Sequence, residues 1–141
     1  MRSYLVVGNQ TLDSPELAEA IRERVAKEPA TFHLVVPATP VSGRLTWDED
    51  EAWAAAQERL EGALGRLRDS GVEATGEVGV SDPIQACRDG LRGREIDEVI
   101  LSTLPPGISR WLGQDVPSKM KGSIETPVQV VTTQKESVST G

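Results

Sequence analysis

The residues best suited to chemistry crowd into one stretch, 97–115, which reads DEVILSTLPPGISRWLGQD. Ser102 and Thr103 bring hydroxyls to the end of the apolar run Val99-Ile100-Leu101, and Ser109 and Arg110 follow the stiff turn Leu104-Pro105-Pro106-Gly107. Consecutive prolines cannot donate to a sheet ladder, so a central strand has to stop by about Thr103. Gly107 offers a left-handed backbone and Ser109 a capping oxygen, which together open a helix near Arg110. A strand that delivers hydroxyls to its carboxyl end and starts a helix there leaves unpaired N–H groups and the positive end of a dipole facing one crevice. Arginine adds a planar fork that can meet phosphate or carboxylate oxygens bidentately. The chemistry on offer is recognition of an anion or a nucleotide.

Each residue also has a plainer reading. Hydroxyls after a strand often satisfy only the backbone of a turn, and Arg110 has Asp115 or a loop acid as an alternative to a ligand. Trp111, followed directly by Leu112, reads as a packing anchor rather than a stacking platform. His33, the single histidine, sits mid-strand between Phe32 and Leu34 and reads as a half-buried strand residue. Catalysis lacks its parts: the sequence has no Gly-x-Ser-x-Gly elbow, no Walker lysine loop, no Gly-x-Gly-x-x-Gly and no paired metal motif. With Cys87 as the single cysteine, an internal disulfide and a Cys/His zinc cluster are both excluded. No catalytic residue and no metal ligand is expected.

The elements that must position this stretch follow from periodicity. Tyr4-Leu5-Val6-Val7 and Phe32-His33-Leu34-Val35-Val36 are short apolar runs of the kind buried on both faces of a sheet. Residues 72–80 alternate apolar with polar, as a strand nearer an edge does, and Val128-Gln129-Val130-Val131 reads as a last strand. Between them lie helix patterns. Ser14-Pro15-Glu16 opens one that ends before Pro29, with Leu17, Ala18, Ile21 and Val25 on one face. Residues 48–70 form the longest, with Trp53, Ala56, Leu60, Ala63, Leu64 and Leu67 as its buried stripe and Gly71 as its stop. Asp82-Pro83-Ile84-Gln85 starts a third with the makings of a capping box, and a fourth follows Ser109.

Five strands alternating with four helices predict a mainly parallel sheet covered on both faces, with a crevice at the strand carboxyl ends. The residues just after each strand, 8–11, 37–39 and 102–110, are then the ones to examine, and the candidates for ligand contact among them are Asn9, Pro37 and Ala38, and Ser102, Thr103, Gly107, Ser109 and Arg110.

Composition narrows the classes. At 141 residues and 38% hydrophobic, the chain suits one domain with a core large enough to need no staple. Fifteen basic against 22 acidic residues give a net charge of -7, which opposes binding to nucleic acid or an anionic membrane. There is no long apolar stretch and no signal-peptide pattern, and a cytoplasmic location is the expectation. One domain over residues 1–133 and a flexible polar tail over residues 134–141 complete the expected organisation.

The course from Tyr4 to Thr132 resembles the universal stress protein family, and STLPPGISRWLGQDV with YLVVGNQTL is similar to a bacterial branch of it. The resemblance implies a three-layer α/β/α sandwich, Rossmann-like and of the adenine nucleotide alpha hydrolase-like kind, with a five-stranded parallel sheet ordered 3-2-1-4-5. It implies ATP or AMP as ligand, a stress-related or regulatory role, and a homodimer through the last strand, where Val128, Val130 and Val131 form an apolar edge. Nucleotide-binding members carry Gly-x2-Gly-x9-Gly-Ser/Thr after the fourth strand. Here Gly113 matches the last glycine, Gln114 replaces the hydroxyl residue, and Ile100 and Thr103 fall where the first two glycines belong. Asn9 stands where those members commonly have an acid at the end of the first strand. The lost glycines favour a smaller anion over ATP. The competing expectation is an interaction protein that keeps the fold without the ligand.

Overall fold

In the computed structural model, residues 1–38, 49–105 and 109–133 are described, Arg110 by its backbone alone. Strand β1 (Arg2–Val7) ends in Leu5, Val6 and Val7, each without exposed surface, so it can only be the middle of a sheet covered on both sides. It lies between β2 (Ala30–Pro37) and β4 (Glu98–Thr103), parallel to both, with Val7 flanked by Val35 and Leu101. Strands β3 (Glu73–Gly79) and β5 (Val128–Thr132) form the two edges, giving the all-parallel order β3-β2-β1-β4-β5. This is the order that the resemblance implied.

Alternation along the strands divides the core in two. Tyr4, Val6, Phe32, Leu34, Val36 and Ile100 pack against α1 (Pro15–Lys27) and α2 (Glu49–Asp69), through Leu17 and Ile21 of the first and Ala56, Leu60 and Ala63 of the second. Leu5, Val7, Val35, Val99 and Leu101 face the other way, toward Ala86 and Cys87 of α3 (Pro83–Leu91). The helix that the sequence predicts after Ser109 is divided into α4 (Arg110–Gly113) and α5 (Val116–Ser123), the latter sealing the second layer with Val116 and Met120. Asp115 makes the break by taking a left-handed backbone, φ 59°, and Pro117 beside it suits a helix that starts afresh.

Local signals hold at most of the ends. The Ser14 hydroxyl accepts from the Leu17 N–H at 3.1 Å, the Asp82 carboxylate accepts from the Ile84 N–H at 3.0 Å, and Gly71 ends α2 at φ 84°. Three side-chain expectations fail. Trp53 is 53% exposed rather than part of the α2 stripe, and Val25, 38% exposed, lies off the buried face of α1. Gln85 donates forward to Asp89 at 2.9 Å, so it does not close a capping box. Residues 39–48, Gly107 and residues 134–141, the expected tail, lie outside the described residues.

Glycines set how closely the layers approach. A Cβ at Gly90 of α3 would stand 2.7 Å from Val35 Cγ2, and one at Gly76 of β3 would meet Leu60 Cδ1 at 2.5 Å and the Leu34 carbonyl at 2.9 Å. Gly65 of α2 has no neighbour within 4 Å. Alanine is a better helix former than glycine at both helical sites, by up to about 1 kcal/mol. At Gly90 overpacking outweighs this, and we expect Gly90→Ala to lose about 1–3 kcal/mol in urea unfolding. Gly65→Ala should be neutral or stabilising. Equal effects at the two positions would contradict the close helix–sheet contact.

Candidate ligand site at the strand carboxyl ends

Gly8 carries the chain out of β1 with little room for a side chain: a Cβ there would meet Ser102 Cβ at 3.2 Å and Leu12 Cδ2 at 3.3 Å. The next residue, Asn9, is 5% exposed. Its Nδ2 donates to the Pro37 carbonyl at 2.7 Å, and its Oδ1 accepts from Arg59 Nη1 at 2.7 Å. The carboxamide thereby ties the exits of β1 and β2 to helix α2. Beside it the buried hydroxyls of Thr11 and Ser102 are 2.6 Å apart and bond to each other. Burying two hydroxyls is tolerable because each supplies the other's partner.

The remaining candidates serve nearby backbone and neighbouring strands. Thr103 Oγ1 donates to Thr132 Oγ1 at 3.3 Å across β4 and β5. The Ala38 N–H continues the ladder to the Gly79 carbonyl at 3.1 Å. Ser109 caps α4, its Oγ accepting from the Leu112 N–H at 3.1 Å, while its own N–H reaches the Pro105 carbonyl at 3.0 Å. Gly113 is exposed at the end of α4. The structure therefore brings together Asn9, Pro37 and Ser102 around the exit of β1 and assigns Thr103 and Ser109 to sheet and helix ends. Gly107 and the Arg110 side chain lie outside the described residues.

Thr11 lies in the stretch 8–11 that the sequence marks after the first strand, and Arg59 is the partner that sequence reasoning missed. Arg59 left a weak signal: it lies three residues after Ala56 and four before Ala63, on the flank of the buried stripe.

Two other reactive groups stand away from this edge. Burial pushes the Cys87 thiol from an ordinary 9.0 up to about 12, which removes its nucleophilic form. His33 is held between Thr75 Oγ1, 2.7 Å from Nδ1, and Glu77 Oε2, 2.8 Å from Nε2, on the strand pair β2 and β3. It lines a cavity of about 380 Å³ with Ser3 and Thr31, toward the amino ends of the strands. Among the described residues no group of three or more His, Cys, Asp or Glu could hold a metal, and no helix is long and apolar enough to cross a membrane.

No protein-family model matches the sequence, and no curated protein does. Solved structures do match in three dimensions. The universal stress protein from Archaeoglobus fulgidus superimposes with a TM-score of 0.58 at 20% identity, covering 93% of each chain. The fold is that of the universal stress proteins. The same Archaeoglobus fulgidus protein in complex with dAMP gives a TM-score of 0.59 at 18% identity over 93% of this chain and 97% of that one. A protein of the universal stress protein family from Burkholderia pseudomallei gives 0.57 at 15% identity, covering 92% and 94%. The likeness thus extends over more than nine-tenths of this chain, while most residues differ.

Two measurements probe this edge. Ser102→Ala leaves the buried Thr11 hydroxyl unpaired and should cost about 1–3 kcal/mol, whereas Ser102→Ala with Thr11→Val should cost clearly less than the sum of the single changes. Additive losses in urea unfolding would mean that the two hydroxyls do not bond. For Cys87 the folded thiol ionises later than the unfolded one, so its contribution is complete below pH 9.0 and is lost as pH rises from there toward 12. At pH 8 iodoacetamide should therefore label the protein only at the rate of opening, and faster labelling of native protein would show an accessible thiolate.

Proposed function

We propose that this chain is a universal-stress-protein-like binding module with a regulatory role, whose ligand is a nucleoside monophosphate or a smaller anion over the carboxyl ends of β1 and β4. The observation that carries the reading is the fold match along 93% of the chain to a protein in complex with dAMP. In this reading Asn9, Pro37 and Ala38 border the nucleoside, and Ser102, Thr103, Gly107, Ser109, Arg110 and Gly113 border the phosphate. The glycine cradle that would wrap a triphosphate is missing from the sequence, so AMP is favoured over ATP. Membership of the universal stress protein family, a homodimer and a cytoplasmic location belong to the same proposal. Strand β5 is an edge whose Val128, Val130 and Val131 are only partly buried, a surface that pairing with a second copy would cover.

One observation favours a second reading, an interaction module without a nucleotide. The hydroxyls of Ser102 and Thr103 and the carboxamide of Asn9 already have partners within the protein. A ligand that used them would have to offset those bonds.

Thermal shift and calorimetry with AMP, dAMP and ATP separate the two, since a ligand that binds the native state raises its stability by mass action. We expect AMP to bind more tightly than ATP, and Arg110→Ala to weaken AMP by about 1.5–3 kcal/mol, the scale of a hydrogen bond to a charged group. No shift with any of the three would leave the interaction module as the reading. Sedimentation at micromolar concentration should give about twice 15.2 kDa; a single species at the monomer mass would remove the dimer.

A further inference from the structure

On the α1 and α2 side of the sheet, helix α2 presents Arg59, Gly62 and Arg66 at steps of three and four residues, which places them on one side of the helix. Gly62 leaves the space between the two arginines open: a Cβ there would have a single neighbour, Arg66 Nη1 at 3.3 Å. Facing this gap is the turn after β1, and the two line a half-open cavity of about 200 Å³. Asp13 and Glu58 also line it.

The charges around this cavity are not spent on one another. Among the described residues neither Arg59 nor Arg66 makes an ion pair, whereas Arg2, Arg22, Arg24, Arg92 and Arg94 all do. Arg59 is partly buried, where a cation without an anionic partner is costly. One of its five N–H groups is fixed on Asn9 Oδ1 at 2.7 Å, and Asn9 is itself fixed on the Pro37 carbonyl at 2.7 Å. That leaves a guanidinium held in orientation with donors to spare, the arrangement that lowers the ordering cost of binding. The cavity is smaller than the roughly 300–1,000 Å³ that hold drug-sized ligands, so a small anion fits within it while most of a nucleotide would stand outside. The carboxylates of Asp13 and Glu58 can only accept, and they match hydroxyl groups on the same small molecule.

We propose that Arg59, Gly62 and Arg66 form a site for a small hydroxylated phosphomonoester, held by the two guanidiniums over the glycine, with Asp13 and Glu58 accepting from its hydroxyls. This site adjoins the crevice over β1 and β4, with Asn9 lining it as well, and it does not depend on a nucleotide binding in that crevice.

The test uses the full chain with inorganic phosphate and glycerol phosphate, against chloride at matched ionic strength. Phosphate should give a saturable rise in melting temperature, and glycerol phosphate should bind more tightly than phosphate. Arg66→Gln should weaken both ligands at least tenfold while leaving the ligand-free melting temperature unchanged, because Arg66 is exposed and unpaired among the described residues. Gly62→Leu fills the gap and should abolish binding, although leucine favours the helix over glycine and the ligand-free protein should melt no lower. AMP affinity should survive Arg66→Gln. The site is overturned if phosphate gives no saturable shift, if binding persists in both variants, or if AMP and phosphate are lost together. Glycerol phosphate binding more weakly than phosphate would overturn the phosphomonoester assignment.

Discussion

The complete burial of the last three residues of β1 constrains everything at the carboxyl edge of this protein. Leu5, Val6 and Val7 have no exposed surface, so the chain leaves the sheet from the dry interior and its first polar groups emerge where water cannot serve them. Asn9 and Thr11 therefore need protein partners, and they find them on β2, α2 and β4. What would be a row of available donors and acceptors on an open surface is here a set of braces between the elements. The same constraint separates holding the fold from holding a ligand: a polar group can do both only if the ligand replaces the bond that the fold already supplies.

The fold was legible because its determinants are local. Unbroken apolar runs at 4–7 and 99–101, a serine cap before Pro15, an aspartate cap before Pro83 and a left-handed glycine at Gly71 each declare themselves within a few residues. The order of the strands is not a local property, and it came from the resemblance. The division of the last helix also escaped, since it depends on Asp115 accepting a left-handed backbone that few non-glycine residues adopt.

The site was legible only as a list of residue types at strand ends. Thr11 and Ser102 are 91 residues apart in sequence, and nothing in either neighbourhood says that one hydroxyl will occupy the other. Arg59 reaches Asn9 from 50 residues away, from a helix that periodicity describes only by its apolar stripe. Trp53 shows the opposite error, a large apolar residue assigned to the core on spacing, while Ala52, one position earlier, takes the buried place. Ala52, Ala56 and Ala63 of α2, with Gly76 of β3 beneath Leu60, bring the helix close over the sheet, and that closeness leaves no room for an indole.

The two edges of the sheet differ in a way that bears on growth. Strand β3 carries Glu73 and Glu77, both exposed, and its Gly76 is pinned beneath Leu60, so a second β3 would meet like charge and any other strand would have to pair beside two carboxylates on a strand already committed to α2. Strand β5 has no charged residue at all. A sheet with one receptive edge and one guarded edge can accept one neighbour and then stop, because head-to-tail addition would need both. Such a chain is protected from polymerising into fibres by the inequality of its ends, whatever meets the open one.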